Sequence, residues 1–268
     1  MKNLLSARWL LLIMLAPFVF SCTSESIDND EETGETPETP ETTKGSFLKN
    51  YSHLFEGEEI YRYEVEYDDD NRAILLKELY LDDNSSYETS IKYADGKISE
   101  MIDKEYEGTE LMNEDNILVS YSEGMIELTG VSPVSSLKIY YEGIYIDSIR
   151  YTNQDEEYPA DWYQIYKRNE EDQMIYYAWD DDYICTITDH DTSENLDAFG
   201  GGMEFDYNHF FSLFGLKVSK NNPIEVSTNY GNHFRNIYEY DENGNILSWN
   251  TDNDPEGDTA VYEYITIE

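Results

Sequence analysis

A two-residue alternation of tyrosine with charged side chains constrains the fold of this chain most strongly. In the clearest stretch Tyr61, Tyr63, Val65 and Tyr67 alternate with Arg62, Glu64 and Glu66. Successive side chains of a β-strand point to opposite faces, so this spacing puts the tyrosines on one face and the charges on the other. With 25 tyrosines in 268 residues, the pattern predicts antiparallel sheet with a tyrosine-rich core and a charged, solvated outer face.

The same alternation returns along the chain, with turn signals between the strands. It is seen in Tyr87, Thr89, Ile91 and Tyr93, and in Tyr238 and Tyr240 against Arg235 and Glu239. Residues 68–71, 94–97, 122–124, 142–143 and 241–245 supply the Asp, Asn and Gly that tight hairpin turns require. We therefore predict an all-β fold over residues 47–268, a single long antiparallel meander of about fourteen strands. Its sheet is expected to be curled or to form a soluble, barrel-like structure.

One apolar stretch does not follow the strand pattern. Residues 208–216 read NHFFSLFGL, with aromatic and aliphatic side chains in runs rather than in alternation. We expect this stretch to form a short helix or an apolar loop that plugs one end of the sheet.

The first residues indicate export and lipid attachment. In residues 1–21, Lys2 and Arg8 accompany an apolar run over 9–20 without any acidic residue, as in a secretory signal peptide. That run is too short for a membrane-spanning helix. Val19 to Cys22 resembles a bacterial lipobox, in which the cysteine thiol receives the lipid and its acyl chains, such as palmitate. We predict cleavage before Cys22 and lipidation of Cys22; the alternative is a plain signal peptide.

Residues 22–46 are expected to form a disordered stalk behind the lipid. The segment is rich in Thr, Glu and Pro and almost free of hydrophobic residues, so it cannot bury enough apolar surface to fold. At about 3.1 Å per residue it would reach on the order of 70 Å. Its early acids, Glu25, Asp28, Asp30, Glu31 and Glu32, resemble the signal that directs Bacteroidetes lipoproteins to the outer face of the outer membrane. We therefore expect cell-surface exposure, with the lipid as the only membrane attachment.

The charge of the chain limits its partners. Its 58 acidic and 17 basic residues give a formal net charge of −41. Electrostatic repulsion then disfavours nucleic acid and anionic membrane surfaces as partners. Cations, basic partners and neutral ligands such as glycans remain.

The hairpin sequences resemble known bacterial proteins. Residues 238–246 (YEYDENGNI) and 91–98 (IKYADGKI) look like the tyrosine–aspartate hairpin repeats of secreted bacterial proteins. With residues 219–226 and 261–264, the end of the chain resembles a Bacteroidetes lipoprotein family, the domain of unknown function 4595, described as having a porin-like fold. The resemblance implies a meandering sheet that curls toward a barrel, and it carries no catalytic residues. The charged strand faces differ from the apolar outer wall of a membrane barrel, so the likeness concerns shape, and a closed barrel would be filled and soluble.

Three groups of residues are candidates for a functional or special role. Trp162, Trp179 and Trp249 are the residues best suited to an aromatic platform for a sugar ring, although strand aromatics also serve as core. Asp180, Asp181 and Asp182 concentrate oxygen donors for a possible Ca²⁺ ion, as do 68–70 and 252–258, with solvated turns as the alternative. Cys185 has no partner if Cys22 is lipidated, and we expect it to be a small buried hydrophobe.

Taken together, these features favour a non-enzymatic surface lipoprotein that binds a glycan or a protein. The four histidines are not spaced as metal ligands. A carboxylate-based hydrolase is the first alternative, since facing acids are the only catalytic groups that such a chain offers in abundance. The second alternative is a structural component of the cell envelope.

Overall fold

A computed structural model describes residues 46–82, 84–131, 134–153, 162–180, 182–194, 213–252 and 258–266. The predicted signal peptide, Cys22 and nearly all of the stalk lie outside these residues. The described ranges contain sixteen β-strands, two more than predicted. They are β1 (Ser46–Phe55), β2 (Glu58–Tyr67), β3 (Ala73–Tyr80), β4 (Ser85–Ala94), β5 (Lys97–Glu107), β6 (Glu110–Ser122), β7 (Met125–Thr129), β8 (Val134–Glu142), β9 (Tyr145–Asn153), β10 (Trp162–Arg168), β11 (Met174–Trp179), β12 (Tyr183–Glu194), β13 (Asn221–Thr228), β14 (His233–Tyr240), β15 (Ile246–Thr251) and β16 (Asp258–Thr266).

The strands form a closed antiparallel barrel of hairpins. Each strand pairs with the strands before and after it in sequence, and β16 closes the sheet by pairing with β1 over Ser46–Phe55. The predicted all-β antiparallel meander is thus confirmed, and of the two expected shapes the barrel is the one observed. In the described part of the chain, no helix has the length and apolar character to cross a membrane.

Strand direction alternates, so the connections divide between two ends of the barrel. We call the end at which β1 begins and β16 ends, at Ser46 and Thr266, the proximal end. The β2–β3, β4–β5 and β14–β15 turns lie there too. The opposite, distal end carries the β1–β2, β3–β4, β5–β6 and β13–β14 turns. The segment from Cys22 therefore joins the barrel at its proximal end.

The barrel interior is a tyrosine-rich core, as the alternation predicts. Tyr61, Tyr63 and Val65 are buried, while the charged residues between them face outward. A row of aromatic rings crosses five neighbouring strands, and its centroid spacings are typical of paired aromatic rings. The successive contacts are Tyr262–Tyr51 at 5.1 Å, Tyr51–Tyr61 at 6.0 Å, Tyr61–Tyr80 at 5.0 Å and Tyr80–Tyr87 at 5.8 Å.

Ion pairs connect neighbouring strands on the outer wall of the barrel. Lys77 pairs with Glu66 at 2.7 Å, and Lys92 pairs with Glu100 at 2.7 Å. Exposed pairs of this kind each contribute about 0–1 kcal/mol. Burial of the interior side chains, rather than these pairs, therefore supplies most of the stabilisation.

Residues 213–220 cover part of the proximal end. Phe214, Leu216 and Val218 are buried in the core. The backbone of Lys217 donates to the carbonyl of Ile144 at 2.8 Å, and its carbonyl accepts from the N–H of Ile146 at 2.8 Å. The apolar plug predicted over 208–216 is therefore observed for 213–216 as an irregular segment rather than a helix; 208–212 lie outside the described residues.

Three hairpins at the proximal end repeat one turn. In each, the first side chain accepts the backbone N–H groups two and four residues later, and the fourth residue has positive φ. The first and fourth residues are Asp68 and Asn71 (φ 64°), Asn169 and Asp172 (φ 60°), and Asp241 and Gly244 (φ 85°). Asn, Asp and Gly are the residues that tolerate this left-handed conformation. The predicted turns at 68–71 and 241–245 are confirmed.

Candidate functional site

The wall of the barrel is interrupted between β13 and β14. Of their described residues, only Glu225–Ser227 pair with His233–Arg235. Pro223 has no N–H to offer a neighbour, and its carbonyl is taken by two side chains of β14, the Asn236 Nδ2 at 2.8 Å and the Tyr238 hydroxyl at 3.1 Å. The N and O of one residue in a strand point to the same side, so the missing donor of Pro223 also faces β14. The two strands consequently separate toward the proximal end.

A cleft of about 550 Å³ lies at this interruption. Its lining combines carboxylates, a guanidinium, an amide, two phenols and two aliphatic side chains. These residues are Asp191, Ile224, Arg235, Asn236, Ile237, Tyr238, Tyr240 and Asp252. The lining follows β14 along its length, from Arg235 and Asp252 toward the distal end to Asp191 and Tyr240 toward the proximal end.

A hydrogen-bond network holds Asp191 in one orientation. Its Oδ1 accepts the backbone N–H of Asn222 at 3.1 Å and that of Ser193 at 3.2 Å. Its Oδ2 accepts the Asn222 Nδ2 at 3.1 Å and the Tyr240 hydroxyl. Burial and the nearby Asp191 carboxylate raise the pKa of Tyr240 well above its usual range, so its hydroxyl stays protonated as a donor. These four donors fix the position of the Asp191 carboxylate in the wall of the cleft.

Two amide oxygens in this region are buried without a donor. The side chains of Asn222 and Asn236 are 0% and 3% exposed, and within the described residues nothing donates to either Oδ1. Leaving a buried acceptor unsatisfied costs about 1–3 kcal/mol. The wall of the barrel therefore contains two acceptor atoms, the Oδ1 atoms of Asn222 and Asn236, that no described residue satisfies.

Aromatic rings and a cation complete the lining. The rings of Tyr238 and Tyr240 are 6.2 Å apart and tilted by 36°. Arg235 is exposed, its Nε lies 3.7 Å from the Glu225 carboxylate, and its backbone N–H donates to Asp252 at 2.9 Å. Such a combination can make hydrogen bonds in both directions and pack against an apolar face of a ligand.

A second polar cluster lies inside the barrel, on β3 to β6. Asp103 and Asp115 are cross-strand partners that share the interior face with Met101 and Ile117. The Thr89 hydroxyl donates to Asp103 at 2.8 Å. Burial, with the neighbouring Asp115 and Glu105 carboxylates, raises the pKa of Asp103 to about 6. Toward the distal end, the Tyr87 hydroxyl donates to Glu105 at 2.9 Å, and Glu78 is buried beside them.

The three candidate tryptophans belong to the interior rather than to this cleft. Trp249 is 4% exposed within the core, so its ring is not available as a surface platform. Trp162 and Trp179 are partly buried against the core near the distal end, where Trp162 contacts Tyr151 at 6.3 Å. The residues that line the cleft include none of the three. Their contact with a ligand stays a prediction.

In the candidate calcium loop, Asp180 and Asp182 already make hydrogen bonds within the protein. The carboxylate of Asp180 accepts the Tyr163 N–H at 2.9 Å, and the backbone carbonyl of Asp182 accepts from Asn229 at 2.7 Å. Asp181 lies outside the described residues, as do 253–257. In the described ranges, no three His, Cys, Asp or Glu side chains are grouped as metal ligands. Cys185 is buried, as expected.

The comparisons with known proteins give a distant likeness of shape. No family model matches the chain, and no curated protein does. Among solved structures, porin-like proteins from Bacteroides vulgatus and Bacteroides uniformis align with 12% identity each and TM-scores of 0.41 and 0.40. The alignments cover 82% and 81% of this chain and 99% and 98% of those proteins. Membership of the domain of unknown function 4595 family stays a prediction.

The sequence contained one signal for the cleft. Pro223 inside a strand pattern indicates a missing ladder bond. Asp191, Asn222 and Asn236 could not be connected from sequence, because they come together only through the pairing of β12, β13 and β14.

Proposed function

We propose that the protein is a non-enzymatic, lipid-anchored surface protein of the outer membrane that binds a neutral glycan in the cleft between β13 and β14. The observation that carries this proposal is the interrupted ladder, which exposes a cleft lined by Asp191, Arg235, Asn236, Tyr238 and Tyr240. The predicted lipid on Cys22 and the acidic stalk support the location.

The chemistry of the lining suits a sugar. Each hydroxyl of a sugar both donates and accepts, and the cleft offers the exposed Asp252 carboxylate as an acceptor and Arg235 as a donor. Tyrosine rings have an apolar body with a polar tip, which matches the C–H face and hydroxyl edge of a pyranose.

The charge of the cleft favours a neutral sugar over an acidic one. Asp191 and Asp252 face a single basic lining residue, Arg235, in a chain of net charge −41. A uronic acid or a sulfated sugar would meet repulsion from both.

A glycan array probed with the full-length protein tests the proposal. We expect binding to neutral glycans and about tenfold weaker binding by Tyr240→Phe, which keeps the ring and removes the hydroxyl bonded to Asp191. Tyr93→Phe is the matched control, because its hydroxyl bonds the Ala73 carbonyl at 2.9 Å far from the cleft. No glycan binding, or equal loss in both variants, would reject the proposal.

A carboxylate-based hydrolase is the second candidate, favoured by the interior pair Asp103 and Asp115. Asp103 has a pKa of about 6 and is partly protonated near neutral pH, as a general acid requires. Asp115 is its partner across the sheet. Hydrolysis of a panel of aryl glycosides by the full-length protein, abolished in Asp103→Asn, would favour this function; no turnover would dismiss it.

A further inference from the structure

We propose that the distal rim formed by β1 to β6 is a docking surface for a cationic, amphipathic polypeptide. Large apolar side chains project from this rim. Phe55, Leu81, Leu111 and Met112 are 45%, 49%, 49% and 53% exposed. They lie in or beside three successive connections, β1–β2, β3–β4 and β5–β6. We call these connections with their flanking strand ends the distal arc: residues 55–58, 81–84 and 107–112.

Backbone hydrogen bonds join the three connections into one surface. The N–H of Leu81 donates to the carbonyl of Ile60 at 2.9 Å, next to the β1–β2 turn. The N–H of Gly108 donates to the carbonyl of Asn84 at 2.9 Å. The apolar side chains therefore sit on neighbouring turns with fixed relative positions.

The arc rests on the aromatic row of the interior. Tyr61, Tyr80 and Tyr87 lie one or a few residues inside the connections that carry Phe55 and Leu81, and their rings contact one another. A rigid base of this kind lowers the conformational entropy that binding has to overcome. Large apolar side chains exposed together at three neighbouring hairpin ends indicate a contact surface.

The charges around these side chains identify the partner. The described residues of the arc include five exposed acids and no lysine or arginine; the acids are Glu56, Glu58, Asp82, Glu107 and Glu110. A partner must therefore offer apolar side chains between positive charges. A second copy of this chain, at −41, and an anionic membrane would both be repelled.

The position of the arc is compatible with such an encounter. The first described residue, Ser46, lies at the proximal end of the barrel, opposite the arc. The cleft between β13 and β14 lies on other strands and shares no residue with the arc. Glycan binding at the cleft and peptide binding at the arc can therefore be tested independently.

Peptide binding to full-length protein in phosphatidylcholine vesicles tests this inference, with empty vesicles as the blank. The probe is a fluorescent synthetic helix of Lys and Leu with one apolar face. One matched peptide replaces Leu by Ser, and another replaces Lys by Glu. We expect fluorescence anisotropy to show that only the Lys–Leu peptide binds, and that added salt weakens its binding.

Two variants locate the binding surface. Leu81→Ser with Met112→Ser should weaken binding of the Lys–Leu peptide about tenfold. Leu118→Ser with Leu247→Ser is the control, because these side chains are 55% and 41% exposed on the outer wall and belong to neither the arc nor the cleft. Equal loss in both variants, or tight binding of the Lys–Ser peptide, would overturn the inference. The inference would also be overturned if the peptide did not bind and the protein instead self-associated in a way that the arc variant abolishes.

Discussion

The two walls of the barrel differ in how completely their strands pair. From β2 to β6 the ladder is nearly continuous, with at most one irregularity in each strand pair; β4 and β5, for example, pair from Ser85–Glu107 to Ala94–Lys97. Between β13 and β14 only three pairs form, and between β15 and β16 only Ser248–Val261 and Trp249–Ala260 do, among the described residues. We call these the continuous wall and the interrupted wall. A closed barrel can therefore tolerate a local loss of strand pairing, and the cleft lies where pairing is lost between β13 and β14.

The difference has a local cause in the sequence. The β4–β5 turn uses Asp95 and Gly96, both at positive φ (51° and 76°), the geometry whose twist matches paired strands. In β13, Pro223 instead removes a donor from the ladder, and side chains of Asn236 and Tyr238 occupy its carbonyl. Polar side chains therefore replace backbone pairing in the interrupted wall.

The largest expected effect is the loss of a buried ring from the continuous wall. Tyr63 is completely buried on β2, so Tyr63→Ala should lower the free energy of unfolding by about 3–5 kcal/mol through lost burial and a cavity. Tyr230→Ala is the matched control in the interrupted wall, since Tyr230 is 65% exposed; we expect less than about 1 kcal/mol. Urea unfolding followed by circular dichroism measures both, and similar losses would contradict the view that the interior rings carry the stability.

The interior acids of the continuous wall should make stability depend on pH. Folding raises the pKa of Asp103 to about 6, so the folded state binds this proton more tightly than the unfolded chain does. The resulting stabilisation is fully present below about pH 4 and is lost as pH rises through about 6.

Asp103→Asn removes this dependence while keeping a side chain of similar shape. Relative to the variant, the native protein should lose on the order of 2 kcal/mol between about pH 4 and about pH 7. The difference between the two unfolding curves isolates Asp103 from the other acids. Parallel pH curves would show that Asp103 is not desolvated in the folded protein.

Restoring a donor to β13 should make the interrupted wall more like the continuous one. Pro223→Ala creates an N–H that faces β14, and its hydrogen bond would stabilise the fold by about 1 kcal/mol. Removing the proline also raises the conformational entropy of the unfolded chain, which offsets about half of that gain or more. Net stability should therefore change little, whereas glycan binding weakens about fivefold as the cleft narrows. Slow hydrogen exchange of the new amide would show that it is paired; unchanged glycan binding despite a protected amide would separate the cleft from the ladder.

Much of the fold could be predicted from sequence because burial in a strand has a period of two. Tyr61 and Tyr63 face inward as expected, and the charged residues between them face outward. The strand number was less accurate, since short strands such as β7 (Met125–Thr129) give little alternation to detect. Closure of the barrel depends on pairing between β1 and β16, the most distant strands in sequence, which no local pattern reports.

The polar sites were harder to predict because residue type and position conflict there. Asp103 has the two-residue spacing of an inward residue, two after Met101, yet its charge is typical of the outer face. The hydroxyl of Thr89, brought to it by strand pairing, helps the interior accept a carboxylate. Trp249 shows the converse, since its ring suits a ligand but its strand position is buried.

The smallest expected effect tests whether the hairpin ends contribute to the difference between the walls. The β2–β3 and β14–β15 turns share one hydrogen-bond pattern, with Asn71 and Gly244 at the same left-handed position. Gly244→Ala should cost about 1 kcal/mol because of its φ of 85°, with no atom within 4 Å of the added methyl. Gly244→Asn, the residue type of the other turn, should cost about half of that or less, since Asn tolerates this conformation. If thermal unfolding gives that order, and Asn71→Ala costs the difference between the two Gly244 changes, about 0.5 kcal/mol or more, the two turns are equivalent. The interruption of the wall then originates at Pro223 and not at the hairpin ends; a much larger cost at Gly244 would place it at the turn.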